Sequence, residues 1–262
     1  MQPNLDFVKN IAIQAGEILK NFAREDLNVE HKGRRDLVTQ ADHESERYLV
    51  EAIRKSFPEH AIVAEESGAW AGSADHQWFI DPLDGTLNYA HGVPIYSVSI
   101  GYAYRGEMAL GVVYDPTRQE LFSAERGRGA SLNGVPIQVS NFTELVDCML
   151  VTGFPNEVND PPDDNVANFF RFNRAAQTVR RLGSAALDVV YVAAGRLDGF
   201  WEVSIWQWDI AAGGLIVQEA GGLVTDVYGS PDYLKPPPSI VCANPVIQPK
   251  MLDVLAKVRS SS

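Results

Sequence analysis

The stretch Trp78-Phe79-Ile80-Asp81-Pro82-Leu83-Asp84-Gly85-Thr86 constrains this chain more than any other. Its three large apolar residues read as a buried strand, Pro82 is expected to stop the hydrogen-bond ladder, and Gly85 permits a tight turn. Asp81 and Asp84, three residues apart on such a turn, can converge on one point. Two full charges about 4 Å apart repel by roughly 4 kcal/mol at an effective dielectric near 20. A divalent cation removes that penalty, and an all-oxygen donor set suits Mg²⁺, Mn²⁺ or Ca²⁺ rather than zinc. An ordinary solvated Asp-Pro turn is the competing reading. The buried strand before it and the other acids along the chain weigh against that.

Composition narrows the setting. The chain has 262 residues, with 34 acidic and 22 basic side chains and a net charge of −12. A chain of this length buries roughly 70–75% of its unfolded surface, so a large core needs no staples. With 45% hydrophobic and 21% charged residues it reads as globular. An acidic balance without a Lys/Arg run counts against docking on nucleic acid or an anionic membrane. Cys148 and Cys242 cannot build a disulfide framework and neither sits in a metal-type pair, which fits a reducing, cytoplasmic setting. The opening MQPNLDFVKN lacks a signal-peptide pattern, and no run of about 18 apolar residues is present. The partners expected are small molecules.

Periodicity predicts an α+β organisation. Leu5, Val8, Ile11, Ala12, Ala15, Ile18, Leu19 and Phe22 lie on one face of a helix over 5–22, with Asn4 as N-cap. A second helix is expected over 41–56, limited by Pro58. The period then shortens to that of strands at 61–64, 78–80, 95–104, 108–114 and 119–124. Turns at Arg105-Gly106, Asp115-Pro116 and Asn133-Gly134 make these an antiparallel meander. Beyond residue 140, helices at 165–178, 184–194, 209–220 and 246–258 alternate with strands near 148–152, 198–202, 223–227 and 239–243. Asn159–Asp164 and Lys235–Pro238 read as exposed loops. The change near residue 140 suggests two halves, 1–140 and 141–262, forming one compact unit.

Further acids end strands or begin helices. Glu65 and Glu66 follow the apolar run Ala61–Ala64, where an exposed loop pair is the alternative. Asp42 lies three residues after Thr39, where a capping-box acid and a catalytic acid are compatible readings. Asp209 reads as a helix N-cap. Thr86 and the N–H groups near Gly85 would face an anion if the chain turns helical there. An EF-hand starting at Asp81 fails because its twelfth position is Gly92. The aspartyl-phosphate phosphatases of the haloacid dehalogenase type need one residue between their aspartates, and this chain has two. No Walker loop, dinucleotide fingerprint, H-E-x-x-H or G-x-S-x-G is present, and Gly127 and Gly129 read as a turn.

Taken together, the motifs resemble the inositol monophosphatase family of Mg²⁺-dependent, lithium-sensitive phosphatases. The landmarks are Asp36–Asp42 (DLVTQAD), Ala64–Ser67, Trp78–Asn88 (WFIDPLDGTLN), Gly183–Ala186, Trp208–Gly213 and Glu219–Gly222, spread in order over nearly the whole chain. The second half looks most like the bacterial branch. Ala64 stands where the family usually has Gly, Leu87 and Ser184 stand where it often has Thr, and His31 and Lys32 compete as counterpart of its lysine.

The resemblance implies a layered αβαβα sandwich and a homodimer. It implies that Glu65, Asp81 and the Leu83 carbonyl hold one Mg²⁺, that Asp81, Asp84 and Asp209 hold a second, and that Glu65 holds a weaker third, with Mn²⁺ a possible substitute. Asp42 and Thr86 would orient or activate water, and Gly85 and Thr86 would meet the phosphate. Asp84, Gly183, Ala185 and Glu202 would contact substrate hydroxyls. The implied activity is hydrolysis of a small phosphorylated metabolite, with inositol 1-phosphate first. Histidinol phosphate, fructose 1,6-bisphosphate, NADP and adenosine 3′,5′-bisphosphate are the alternatives within the fold. A non-catalytic binding protein is the distant alternative, and it would be expected to have lost some of the six acids Asp42, Glu65, Glu66, Asp81, Asp84 and Asp209, all of which are present.

Overall fold

A computed structural model describes residues 1–23, 29–31, 37–154 and 165–259. The loop expected over Asn159–Asp164 lies outside these residues, as do Lys32 and Asp36. Helix α1 (Leu5–Phe22) starts where Asn4 Oδ1 accepts the Phe7 N–H at 2.8 Å, and it buries Val8, Ile11, Ala12, Ala15 and Leu19 along one stripe. A short antiparallel pair, β1 (Val29–His31) with β2 (Leu37–Thr39), leads into α2 (Gln40–Ser56), which ends just before Pro58.

The next segment builds an eight-stranded sheet. Its members are β3 (His60–Ala64), β4 (Gly68–Trp70), β5 (Ser73–Asp84), β6 (Ser97–Tyr104), β7 (Glu107–Asp115), β8 (Glu120–Glu125), β9 (Ala130–Leu132) and β10 (Val135–Pro136). From β5 onward each strand pairs antiparallel with the next, the meander read from the turns. Two features were not legible. β3 lies parallel to β5, and the β4 edge strand folds back on β3. Nor does Pro82 end its strand. The pairing of β5 with β6 breaks between Asp81 and Asp84 and resumes at Asp84 opposite Ser97. A bulge of this kind leaves the missing proline N–H harmless and re-aims the side chains around it.

A one-turn helix, α3 (Thr86–Ala90), follows β5. The remaining elements are β11 (Met149–Thr152), α4 (Val166–Ala175), β12 (Thr178–Arg180), α5 (Ala185–Ala193), β13 (Gly199–Glu202), α6 (Gln207–Glu219), β14 (Leu223–Thr225), β15 (Ile240–Ala243) and α7 (Ile247–Arg259). The strands form a mixed sheet ordered β12-β11-β13-β15-β14. The helix expected over 165–178 stops at Ala175, because Thr178–Arg180 pair parallel with Met149–Val151. The strand expected to Val227 stops at Thr225.

The layers follow from which faces are apolar. Helices α1 and α2 cover one face of the large sheet, and α5 and α6 lie between the two sheets. Helices α4 and α7 close the outer face of the smaller sheet. This is the αβαβα sandwich, an α+β fold. Among the described residues no helix is long and apolar enough to cross a membrane.

The central layer depends on close approach. A Cβ on Gly111 of β7 would lie 2.6 Å from the Ala212 carbonyl oxygen of α6. Replacing Gly111 by alanine must push α6 off the sheet, and overpacking of this kind costs about 1–3 kcal/mol. Urea unfolding should show a lower midpoint for Gly111→Ala at unchanged slope. An unchanged midpoint would mean the interface yields freely.

Candidate metal and phosphate site

The bulge in β5 and the N-termini of three helices gather the acids. Asp81, 2% exposed, accepts the Leu83 N–H at 2.9 Å through Oδ1. Asp84 is clamped across the molecule. Its carboxylate accepts the N–H groups of Ala185 at 3.1 Å and Ala186 at 2.9 Å, the Ser97 hydroxyl at 3.4 Å, and the Ser184 hydroxyl. A side chain from β5 therefore caps α5 about one hundred residues later. Asp209 sits in the first turn of α6, and its Oδ2 accepts the Trp206 N–H at 3.0 Å. Trp206, not Asp209 as expected, is the N-cap. Asp209 is the acid three residues in, reaching back.

Oxygen atoms of Asp81, Asp84 and Asp209 all lie within 4.8 Å of one another. Burial pushes the Asp81 carboxyl well above the usual carboxylate range, and the charges of Glu65, Asp84 and Asp209 add to the shift. Burial, then Asp84, raises Asp209 well above it too, with the Trp206 N–H opposing. Burial also raises Asp84, but there Ser184, Ala186, Ala185 and Ser97 all pull the other way. Glu202, buried at the end of β13, is pushed up to about 8 by burial and by Asp84, against Arg181. Hard oxygen donors gathered this closely, with burial and mutual repulsion opposing their charged forms, fit a hard divalent cation.

The other residues read from sequence surround this trio. Asp42, fully buried, closes a capping box at α2 with the Thr39 N–H at 2.8 Å and the Thr39 hydroxyl at 2.5 Å. Its other oxygen receives the Thr86 hydroxyl at 3.1 Å, and that hydroxyl also has the Leu83 carbonyl at 3.0 Å. Glu65 heads the turn after β3, its N–H donated to the Ile80 carbonyl at 3.2 Å. Gly85 has φ of +95°, and a Cβ there would meet the Ile95 oxygen at 2.9 Å and the Gly183 oxygen at 3.2 Å. Gly183 thus leaves no room for a side chain at Gly85, and Asn88 links the two segments, its amide donating to the Ile95 and Leu182 carbonyls at 2.9 and 2.8 Å.

Sequence reading missed several residues that hold the site. Ser97 and Ser184 were invisible as partners of Asp84, since only the fold brings them to it. Ser45 and Glu46 were overlooked on α2, where both are buried. A signal existed: they lie three and four residues after Asp42, on its face, where the apolar stripe of the helix continues with Leu49 and Ile53. Asp188 of α5 is a further buried acid, its carboxyl raised by burial and by the charges of Asp84 and Glu202.

The layered α+β sandwich thus sets a turn of carboxylates directly before Gly85-Thr86, a donor set that could hold a metal ion. Residues 1–262 match the model of the inositol monophosphatase family, and the chain belongs to that family. It is a phosphoric monoester hydrolase. A protein of Pseudomonas aeruginosa named Nus factor SuhB is 48% identical over 243 residues, covering 90% of this chain and 89% of the relative. The solved extragenic suppressor protein suhB from Bartonella henselae has a TM-score of 0.90 at 38% identity, over 96% of this chain and 98% of its own. The inositol monophosphatase from Anabaena (Nostoc) sp. has a TM-score of 0.88 at 42% identity, over 97% and 95% respectively.

The raised carboxyls fix the sign of a pH effect. A carboxyl whose folded value exceeds its unfolded value stabilises the fold below the unfolded value, and that stability is lost as pH rises through the folded one. Cation binding must displace those protons at low pH and relieves repulsion at high pH. The rise in melting temperature on adding Mg²⁺ should therefore be larger at about pH 8 than at about pH 5.5, as differential scanning fluorimetry would show. An increment that shrinks with pH would contradict it.

Proposed function

We propose that the protein hydrolyses a small phosphate monoester, with myo-inositol 1-phosphate the first substrate to test. The observation that carries this is the convergence of Asp81, Asp84 and Asp209 within 4.8 Å, directly before the Gly85-Thr86 turn. Glu65, Asp81 and the Leu83 carbonyl would hold one Mg²⁺, Asp81, Asp84 and Asp209 a second, and Glu65 a weaker third. When bound, the metal supplies phosphoryl charge neutralisation, a water of lowered pKa, and stabilisation of the leaving alkoxide.

The chain's own residues then position and accept protons. The Thr86 hydroxyl has one hydrogen and two acceptors within reach, Asp42 and the Leu83 carbonyl. Directed at Asp42, it leaves lone pairs free to accept from an attacking water and so to orient it. Asp42 is held for this by both donors of Thr39. The N–H groups of Gly85 and Thr86 open α3, where helical bonding leaves them unused for the phosphate. By the family resemblance, Glu202, Asp84, Gly183 and Ala185 would take ring hydroxyls, a reading supported by the electrostatic coupling of Glu202 to Asp84 and the Ala185 N–H held on Asp84. This favours a polyhydroxyl substrate over the nucleotide and histidinol alternatives. Positioning and electrostatic stabilisation of this kind carry most of phosphoryl transfer.

Purified protein should release phosphate from inositol 1-phosphate with Mg²⁺ and be inhibited by Li⁺. Asp84→Asn should lower kcat by about 100-fold or more. Undiminished turnover in EDTA, or in that variant, would sink the metal mechanism. A homodimer is part of the same proposal and is read by light scattering after size exclusion.

A second role is favoured by one finding: several relatives carry the name Nus factor SuhB. We propose that such a role, where this chain has it, is separable from hydrolysis. Asp84→Asn should then complement loss of the Pseudomonas aeruginosa relative as well as the unaltered chain does. Failure of the inactive variant alone would tie the two together.

A further inference from the structure

Glu46 is 4% exposed, on the face of α2 that carries Asp42 one turn earlier. A buried carboxylate needs compensation, and no ion pair of Glu46 occurs among the described residues. Its two oxygens are instead spent on one short piece of backbone. Oε2 accepts the Glu66 N–H at 2.8 Å, and Oε1 accepts the Ser67 N–H at 2.7 Å. This is a two-pronged, charge-assisted grip on the turn that follows β3. The turn has other fixed points. The Glu65 N–H is donated to the Ile80 carbonyl at 3.2 Å, and the Ser67 hydroxyl receives the Trp70 indole at 2.8 Å.

What the turn delivers is Glu65, which follows Ala64, the β3 residue paired with Ile80, and so stands beside Asp81 on β5. Beside Glu46, the Ser45 hydroxyl donates to the Pro82 carbonyl at 3.0 Å, inside the bulge that aims Asp81 and Asp84. Asp42, Ser45 and Glu46 therefore form one helical face that holds the site at Thr86, Pro82 and the 65–67 turn. An oxygen displaced by an ångström leaves a metal's coordination sphere, so the residue that fixes a ligand's backbone sets its affinity as much as the ligand does.

We infer that Glu46 is a positioning residue for divalent-cation binding, acting through the backbone of the 65–67 turn to hold Glu65 against Asp81. This rests on the metal-dependent phosphatase reading above. Glu46 neither binds the cation nor meets the substrate. Its loss loosens Glu65 and leaves the Gly85-Thr86 turn and Glu202 in place. The signature is weakened metal binding with little change in substrate KM once metal is saturating.

The test is calorimetric titration of the full chain with Mg²⁺, comparing the unaltered protein with Glu46→Gln, Glu46→Asp, Glu65→Gln and the double variant Glu46→Gln/Glu65→Gln. Glu46→Gln puts an amide donor against one of two N–H donors. Glu46→Asp keeps the charge and withdraws the grip by one methylene, and it carries the test should the glutamine variant not fold. Both are expected to weaken Mg²⁺ binding about tenfold or more, the scale of outer-shell substitutions at metal sites. KM at saturating Mg²⁺ should stay within about twofold. In the Glu65→Gln background the Glu46 change should cost nothing further, because it has no ligand left to position.

Mg²⁺ affinity within twofold of the unaltered chain in a folded Glu46 variant would overturn the inference, as would fully additive losses in the double variant. Weakening by Gln but not by Asp would overturn it as well, since the charge and not the grip would then be at work. No Mg²⁺ binding by the unaltered chain would instead remove the reading on which it rests.

Discussion

Three carboxylates within 4.8 Å of one another, two of them buried, set the problem that the rest of this molecule solves. Each pair at about 4 Å costs roughly 4 kcal/mol when ionised at an effective dielectric near 20. Against this the protein sets hydrogen bonds to charged groups, worth about 1.5–3 kcal/mol each. They are distributed unevenly. Asp84 has two backbone N–H groups and two hydroxyls, while Asp81 has the Leu83 N–H and Asp209 the Trp206 N–H. The displacements follow that distribution: Asp84 is raised, but Asp81 and Asp209 are raised far more. The best-compensated acid is the least displaced, and a cation would offset the repulsion that helps to displace all three.

The topology serves this arrangement. A bulge between Asp81 and Asp84 lets one strand supply two carboxylates, with the carbonyl of Leu83 between them. Antiparallel pairing with β6 brings Ser97 opposite Asp84. The third carboxylate comes from α6, a helix of the second half that packs on the sheet of the first. The tight contact at Gly111 sets how near α6 stands, so packing in the central layer and the spacing of Asp209 from Asp81 are one structural fact seen from two ends.

Much of this could be read from residues close in sequence. Asn4, the apolar stripe of α1 and the turns Arg105-Gly106 and Asn133-Gly134 specify their elements locally, and the structure follows them. Asp81 and Asp84 could be paired because they share a turn. Most of the failures are non-local. The helix expected to reach residue 178 stops at Ala175, because β11 claims Thr178–Arg180 as a parallel neighbour. Pro82 reads as a strand breaker until the bulge makes its missing N–H irrelevant. Ser184 and Ser97 are ordinary polar residues until the fold brings Asp84 to them, and Glu46 is an ordinary helical acid until its partners on the 65–67 turn are in view. Asp209 could be placed in the site by resemblance only, and its local role was misassigned by three residues.

The helices carry one further electrostatic contribution. Asp42 lies in the first turn of α2 and Asp209 in the first turn of α6, and Asp84 accepts the first N–H groups of α5. Two of these positive helix ends, those of α5 and α6, therefore meet members of the trio, and the third meets Asp42, which receives the Thr86 hydroxyl. Each is worth about 0.3–1 kcal/mol when exposed and up to about 2 kcal/mol when partly buried. The two at the trio lower its repulsion without cancelling three pairwise terms of roughly 4 kcal/mol. A cluster overcompensated by dipoles would be a stable polyanion site needing no cation, and an uncompensated one would unfold or stay fully protonated. The intermediate balance keeps the acids together and leaves a repulsion that a divalent charge would relieve. In a chain of net charge −12, it also makes an anionic phosphate a reasonable substrate, since repulsion at the site is relieved by what the site is built to gather.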